Sequence, residues 1–150
     1  LGDRAEVGRL KIGAREPLPA APPLAIFDGR ITLRAATFAP DPCPARACPG
    51  TLRLLWEARA PLPDDWAVFV HLAGPDGRPL AQADGSPAGG LFPTSAWAEG
   101  EAVLDVRRIQ PPPFLPDSPL RLLIGLYDPR SGARLSLPGG ETAFELPLAP

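Results

Sequence analysis

Between proline clusters at 17–23, 40–49, 61–63, 75–79, 87–93 and 111–119, the chain alternates apolar and polar residues with a period of two. Leu52, Leu54, Trp56 and Ala58 share one face, opposite Arg53, Glu57 and Arg59. Leu120, Leu122, Ile124 and Leu126 do the same with Arg121 on the other side, and Thr142, Phe144, Leu146 and Leu148 repeat the pattern against Glu145. Two-residue alternation is the signature of a half-buried strand, and proline, which has no N–H to give to a ladder, marks the loops between. The stretch 67–72 is apolar on both faces apart from His71, which predicts a central strand covered on both sides. Turn chemistry sits where hairpins need it: Asp28-Gly29, then 74–78, which separates 66–73 from 80–84, then 128–132, which separates 120–127 from 134–137. No segment holds helical periodicity for more than about two turns. The pattern predicts an all-β fold, an antiparallel β-sandwich of immunoglobulin-like or jelly-roll type with eight or nine short strands. Residues 1–150 read as one domain, with a strand at Val7–Ile12 and a proline-rich linker (1–23) ahead of a core module (24–150).

Composition sharpens this picture. The 150 residues include 23 prolines and 15 glycines, a share at which disordered chains begin. The same chain is 45% hydrophobic with a net charge of only −2, so burial can offset the entropy of ordering. A pI near 5.4 excludes an electrostatic nucleic-acid binder. No apolar run is long enough to cross a bilayer as a helix. Methionine is absent, even at position 1, which raises the expectation of a processed product or a piece of a larger protein. Cys43 and Cys48 lie in a proline-rich loop without a neighbouring histidine or a second cysteine pair, too few ligands for zinc. A disulfide between them is expected, and with it an oxidising, extracytoplasmic location.

Candidate chemistry is sparse. The single histidine, His71, could serve as a base, but Gly85-Ser86-Pro87-Ala88-Gly89 does not form the nucleophile elbow of a hydrolase. A cross-strand pair of His71 with Asp84 or Gln82 is the plainer reading. The long connection from Asp84 to Trp97 offers a carbohydrate-binding arrangement: the Trp97 indole as platform, with Asp84, Gln82, Thr94, His71 and Arg134 supplying polar contacts. The competing reading has Trp97 plugging one end of the sandwich while Asp84 accepts loop N–H groups. Asp84 and Asp105 lack the spacing of a calcium loop, so no metal is expected. Asp64-Asp65 reads as a solvated turn, and alternation sends Arg107 and Arg108 to opposite faces. Nothing in the chain calls for a cofactor.

From residue 27 onward the sequence resembles a C-terminal domain of bacterial membrane glycosyltransferases of the protein-mannosyltransferase-like, dolichyl-phosphate-mannose type. The residues that carry the resemblance are Phe27-Asp28-Gly29-Arg30-Ile31, Gly50–Leu54 with Trp56, Val68–Leu72, Asp76-Gly77 and Ala81–Asp84. Pro87, Gly90, Pro93-Thr94-Ser95, Trp97, Gly100-Glu101, Asp105, Gly125–Asp128 and Gly132–Leu135 continue it. Arg34-Ala35-Ala36 replaces the family's glycine–aromatic pair, and the Pro/Cys loop at 40–49 is individual to this chain. In that family the catalytic carboxylates belong to the membrane-embedded part, none of which corresponds to a position here. The resemblance therefore implies a non-catalytic accessory module, extracytoplasmic and tethered through an upstream membrane region. A glycan, a glycolipid or the parent's membrane domain would be its partner. The alternatives are a structural or protein-interaction sandwich without a ligand and, last, an independent hydrolase.

Overall fold

In the computed structural model, which describes residues 20–45 and 47–149, eight strands form two antiparallel sheets of four. The strand expected at Val7–Ile12 lies outside the described residues. The strands are β1 (Ala25–Phe27), β2 (Ile31–Pro40), β3 (Gly50–Ala58), β4 (Ala67–Ala73), β5 (Pro79–Gln82), β6 (Ala102–Ile109), β7 (Arg121–Tyr127) and β8 (Phe144–Pro147). One sheet has the order β1-β2-β3-β6 and the other β5-β4-β7-β8. Leu33, Leu52, Leu54, Trp56 and Val103 of the first meet Val68, Val70, Leu72, Leu122, Ile124 and Leu126 of the second in one core. This is the two-sheet sandwich that the alternation predicts.

Proline and bulge positions explain the strand limits. Pro40, Pro79 and Pro147 occupy strand ends, where a missing N–H breaks no interior ladder. In β2 the register slips between Leu33 and Ala35. A bulge inverts the parity of a strand, so Ile31 and Leu33 face the core before it and Ala36 and Phe38 after it. The Asp28-Gly29 turn closes with Arg30 N–H on the Phe27 carbonyl at 2.9 Å and holds both residues at positive φ. Its loop has three residues, 28–30, because Phe27 pairs with Ile31.

The return strand expected at 134–137 is reduced to a bridge between Tyr127 and Arg134 and a bond from Leu135 N–H to the Leu126 carbonyl. The chain reverses immediately afterwards, with Leu137 N–H on Glu141 O at 2.7 Å and Gly140 N–H on Leu137 O at 2.9 Å. Two short 3-10 turns, Pro87–Gly90 and Thr94–Ala96, punctuate the connection between β5 and β6. Among the described residues no helix is long and apolar enough to cross a membrane.

Phe69 lies on the outer face of β4, yet it is only 2% exposed. It is paired in register with Gly125 of β7, and a Cβ there would overlap the Phe69 ring and the Thr142 carbonyl. Glycine in a strand interior is thus explained by close approach. Gly125→Ala should lower stability by about 1–3 kcal/mol through overpacking, read as a lower urea midpoint at unchanged slope.

Candidate functional site

The outer face of the second sheet gathers four of the six residues singled out in the sequence. β4 register sets His71 opposite Gln82 on one side and Leu123 on the other. His71 Nε2 lies 3.2 Å from Asp84 Oδ2, with side chains 11% and 29% exposed respectively. The expected His71–Asp84 pair is therefore present. Phe69 adjoins it, its ring centroid 5.1 Å from that of His71, and the Arg134 guanidinium carbon lies 4.1 Å above the Phe69 centroid. That is a cation–π contact closing the free face of the ring. Phe69 was not among the sequence candidates; its parity with His71 and the facing Gly125 were the signals that could have found it.

Asp84 lies past the end of β5, where side chain replaces backbone in the ladder. Ala83 N–H donates to the Val70 carbonyl at 2.9 Å, so an antiparallel ladder would return the Val70 N–H to the Ala83 carbonyl. Instead Val70 N–H donates to Asp84 Oδ1 at 2.9 Å, and the Ala83 carbonyl accepts from Arg107 Nη1 at 2.8 Å. Ladder pairing then resumes between Val68 and Gly85, two bonds of 2.9 Å.

Thr94 and Trp97 do not join this face. Trp97 is 3% exposed, belongs to the core and donates its indole N–H to the Phe92 carbonyl at 2.9 Å. An indole removes about 150–250 Å² from water when buried, and the end of the sandwich gives it that burial. It presents no platform to a sugar, which corrects the carbohydrate arrangement drawn around it. Thr94 is fully buried as well: its hydroxyl donates to the Asp64 carbonyl at 2.7 Å and accepts from Trp66 N–H at 2.9 Å. Beside it Asp65 Oδ1 accepts the Ser95 N–H at 2.9 Å, and hydrogen bonds from Ser95 hold the Asp65 carboxyl below its ordinary value. Asp64-Asp65 is thus a docking point for the 94–97 turn and not merely a solvated one.

The pairing of Asp105 with Arg107, the most connected polar group described, was missed in the sequence. Val103, Asp105, Arg107 and Ile109 share the inward face of β6, placing an acid and a base on an apolar stripe. Asp105, 1% exposed, accepts from Arg107 Nε at 3.0 Å, Arg107 Nη2 at 2.9 Å, Trp56 Nε1 at 3.4 Å and Ala88 N–H at 3.1 Å. Arg107 Nη2 also reaches the carbonyls of Gly85 at 3.0 Å and Ser86 at 3.2 Å. The bond to Ala88 supports a non-glycine residue at φ 52°. Arg108 faces outward, as alternation requires, and binds Asp41. Among the described residues no three or more His, Cys, Asp or Glu side chains gather to hold a metal ion.

The other end of the sandwich is open. A groove of about 1040 Å³ lies between the sheets where β2, β4, β6 and β8 finish, with Phe38, Leu72, Ile109, Leu120, Leu146 and Leu148 in its lining. Its wall includes the 41–48 loop, closed by the Cys43–Cys48 disulfide. A smaller groove of about 410 Å³ runs between that loop and 110–115.

Two outcomes test these assignments. Arg107→Met should destabilise by about 3–5 kcal/mol, because it strands the buried Asp105 carboxylate; Asp105→Asn combined with Arg107→Met should cost less than the sum of the two single changes, measured by chemical denaturation. Asp65 has its folded pKa depressed, so its contribution is present above the unfolded value near 3.8 and is lost as pH falls through the folded one. Asp65→Asn should therefore lower the melting temperature at neutral pH, and the difference from the parent chain should shrink as the pH is taken down below the unfolded value.

Comparison with protein-family models, with curated proteins and with solved structures finds no match to this chain.

Proposed function

We propose that this chain is a non-catalytic accessory domain that works by contact, an extracytoplasmic module of a membrane glycosyltransferase of the type it resembles. One observation carries the reading: Thr94, Trp97, Asp105 and Arg107, the polar side chains gathered toward one end of the sandwich, are engaged in holding the chain's own backbone. Thr94 holds the 64–66 turn, Asp105 and Arg107 hold 83–88, and Trp97 holds Phe92. The deep groove, by contrast, has a lining dominated by proline and aliphatic side chains. Groups already committed to backbone partners are costly to redirect to a ligand. The Cys43–Cys48 disulfide supports the extracytoplasmic placement.

A second reading, weak carbohydrate or glycolipid recognition, is favoured by the shared outer face of His71, Asp84, Gln82 and Arg134. The two separate in one experiment, a glycan array followed by calorimetry on the chain and its Arg134→Ala and His71→Ala variants. Contact without sugar recognition gives no heat with any glycan at roughly 1 mM, a concentration that detects binding as weak as about −4 kcal/mol. A glycan signal abolished by either variant at unchanged melting temperature overturns it in favour of the second.

A further inference from the structure

The Cys43–Cys48 bridge stands where breaking it alters the open end and little else. Cys43 is exposed and Cys48 half-buried, so a thiolate from solvent can reach Cys43 Sγ, the access that thiol–disulfide exchange requires. Their loop belongs to both hollows of that end: Cys43 and Ala47 line the two grooves alike, Cys48 the larger and Ala45 the smaller. The chain around the bridge is held by other means. β2 and β3 stay paired as far as Pro40 and Gly50, and beyond them Asp41 N–H donates to the Pro49 carbonyl at 2.7 Å. Arg108 of β6 holds the Asp41 carboxylate. The loop is thus closed at its base by a ladder and an ion pair, and the bridge constrains the tip beyond. Pro44 fixes one φ of that tip, and 45–47 carry no proline.

A cross-link between residues only five positions apart removes little entropy from the unfolded chain. Coupling is reciprocal, so a bridge that stabilises the fold little is in turn protected little by the fold. We propose that Cys43–Cys48 is a redox-operated latch on the loop that lines both grooves, opened by a dithiol while the sandwich stays folded. One thiolate of the dithiol attacks Cys43 Sγ; the S–S bond of the bridge breaks, and Cys48 leaves as a thiolate that takes up a proton. The second thiol, deprotonated, attacks the mixed disulfide, releases Cys43 and leaves with the reductant as its own disulfide. Two electrons pass from the dithiol to the bridge, and two protons end on the cysteines. An oxidising compartment holds the latch shut, and a dithiol reductant delivered there opens it. Opening frees the tip from its cross-link and takes from the grooves the rigidity that favours docking. The device acts on the grooves themselves and does not depend on what they receive.

Amide NMR of the full chain with and without dithiothreitol, a dithiol, tests this. The expected result is complete reduction of the folded chain, with shifts on Cys43, Ala45, Ala47 and Cys48 and on the groove residues Ile109, Leu120 and Leu148. Resonances of the closed end, Thr94 and Trp97 among them, stay in place, and reoxidation restores the first spectrum. The double variant Cys43→Ser, Cys48→Ser should give the reduced spectrum without reagent. Glutathione, a monothiol, should stop at the first step and leave its adduct on Cys43, read by peptide mass spectrometry after an acid quench. A bridge that resists dithiothreitol until urea unfolds the chain overturns the proposal, as does a double variant that does not fold. Reduction that leaves the groove resonances unmoved, or an adduct on Cys48 alone, overturns it as well.

Discussion

The buried pair of Asp105 and Arg107 is the constraint on which the arrangement of this sandwich turns. β6 is an edge of the first sheet and β5 an edge of the second, and the connection between them crosses from one sheet to the other. Taking two charges out of water there costs several kcal/mol, and the cost is offset only if every donor and lone pair finds a partner. Here they do. Asp105 accepts from Arg107, Trp56 and Ala88, while Arg107 donates to the carbonyls of Ala83, Gly85 and Ser86. The ion pair thereby ties the crossing chain to the inner face of β6. Arg107 takes the Ala83 carbonyl while Val70 N–H donates to the Asp84 carboxylate, whose second oxygen meets His71. One hydrogen-bond sequence runs from the interior of the sandwich to the outer face of the second sheet. The His71–Asp84 pair is its last member.

The two ends of the molecule solve the problem of loop backbone in different ways. At one end Asp65, Trp97 and Asp105 satisfy N–H and C=O groups of the long connection with side chains, Thr94 does the same for the 64–66 turn, and the end is closed. At the other, the segments 40–49 and 110–119 are loaded with proline and have correspondingly few N–H groups to satisfy. Such segments can surround an apolar hollow without leaving donors stranded in it. The closed end uses up its polar chemistry, and the open end keeps its apolar surface.

Much of this fold was legible in the sequence because its signals are local. Proline clusters bounded the strands, alternation oriented them, and Asp28-Gly29 marked a turn that the structure contains. The bulge in β2 was not legible, since Arg34-Ala35-Ala36 gives no hydrophobic pattern against which a slipped parity would show. Alternation separated Arg107 from Arg108 correctly and put Asp105 on the face of Arg107, but could not say that this face was the inward one or that three carbonyls from another segment would meet it. Trp97 illustrates a general limit: an isolated tryptophan is equally a platform and a plug until the surrounding loop is placed, and here core burial decides. The groove was out of reach altogether. Phe38, Leu72, Ile109, Leu120 and Leu146 belong to five separate strands or strand flanks, and only the assembled sheets bring them together.

The disulfide takes its meaning from that end. Cys43 and Cys48 are only five positions apart, so the loop they close is short and the entropy removed from the unfolded chain is small compared with a long-range bridge. Its effect is local: it ties together the ends of a loop whose Cys43 and Ala47 line both grooves. The base of that loop is held separately, by the Arg108 fork on Asp41 with Nη1 at 3.1 Å and Nη2 at 2.5 Å, and by Thr51 Oγ1 accepting from Arg108 at 3.0 Å. Exposed ion pairs of this kind add little to global stability. A bridge and a bidentate clamp, each weak in that sense, converge on one loop because what they secure is shape. A groove whose wall is already rigid loses less freedom when something enters it, and that is where a small apolar contact gains most from pre-organisation.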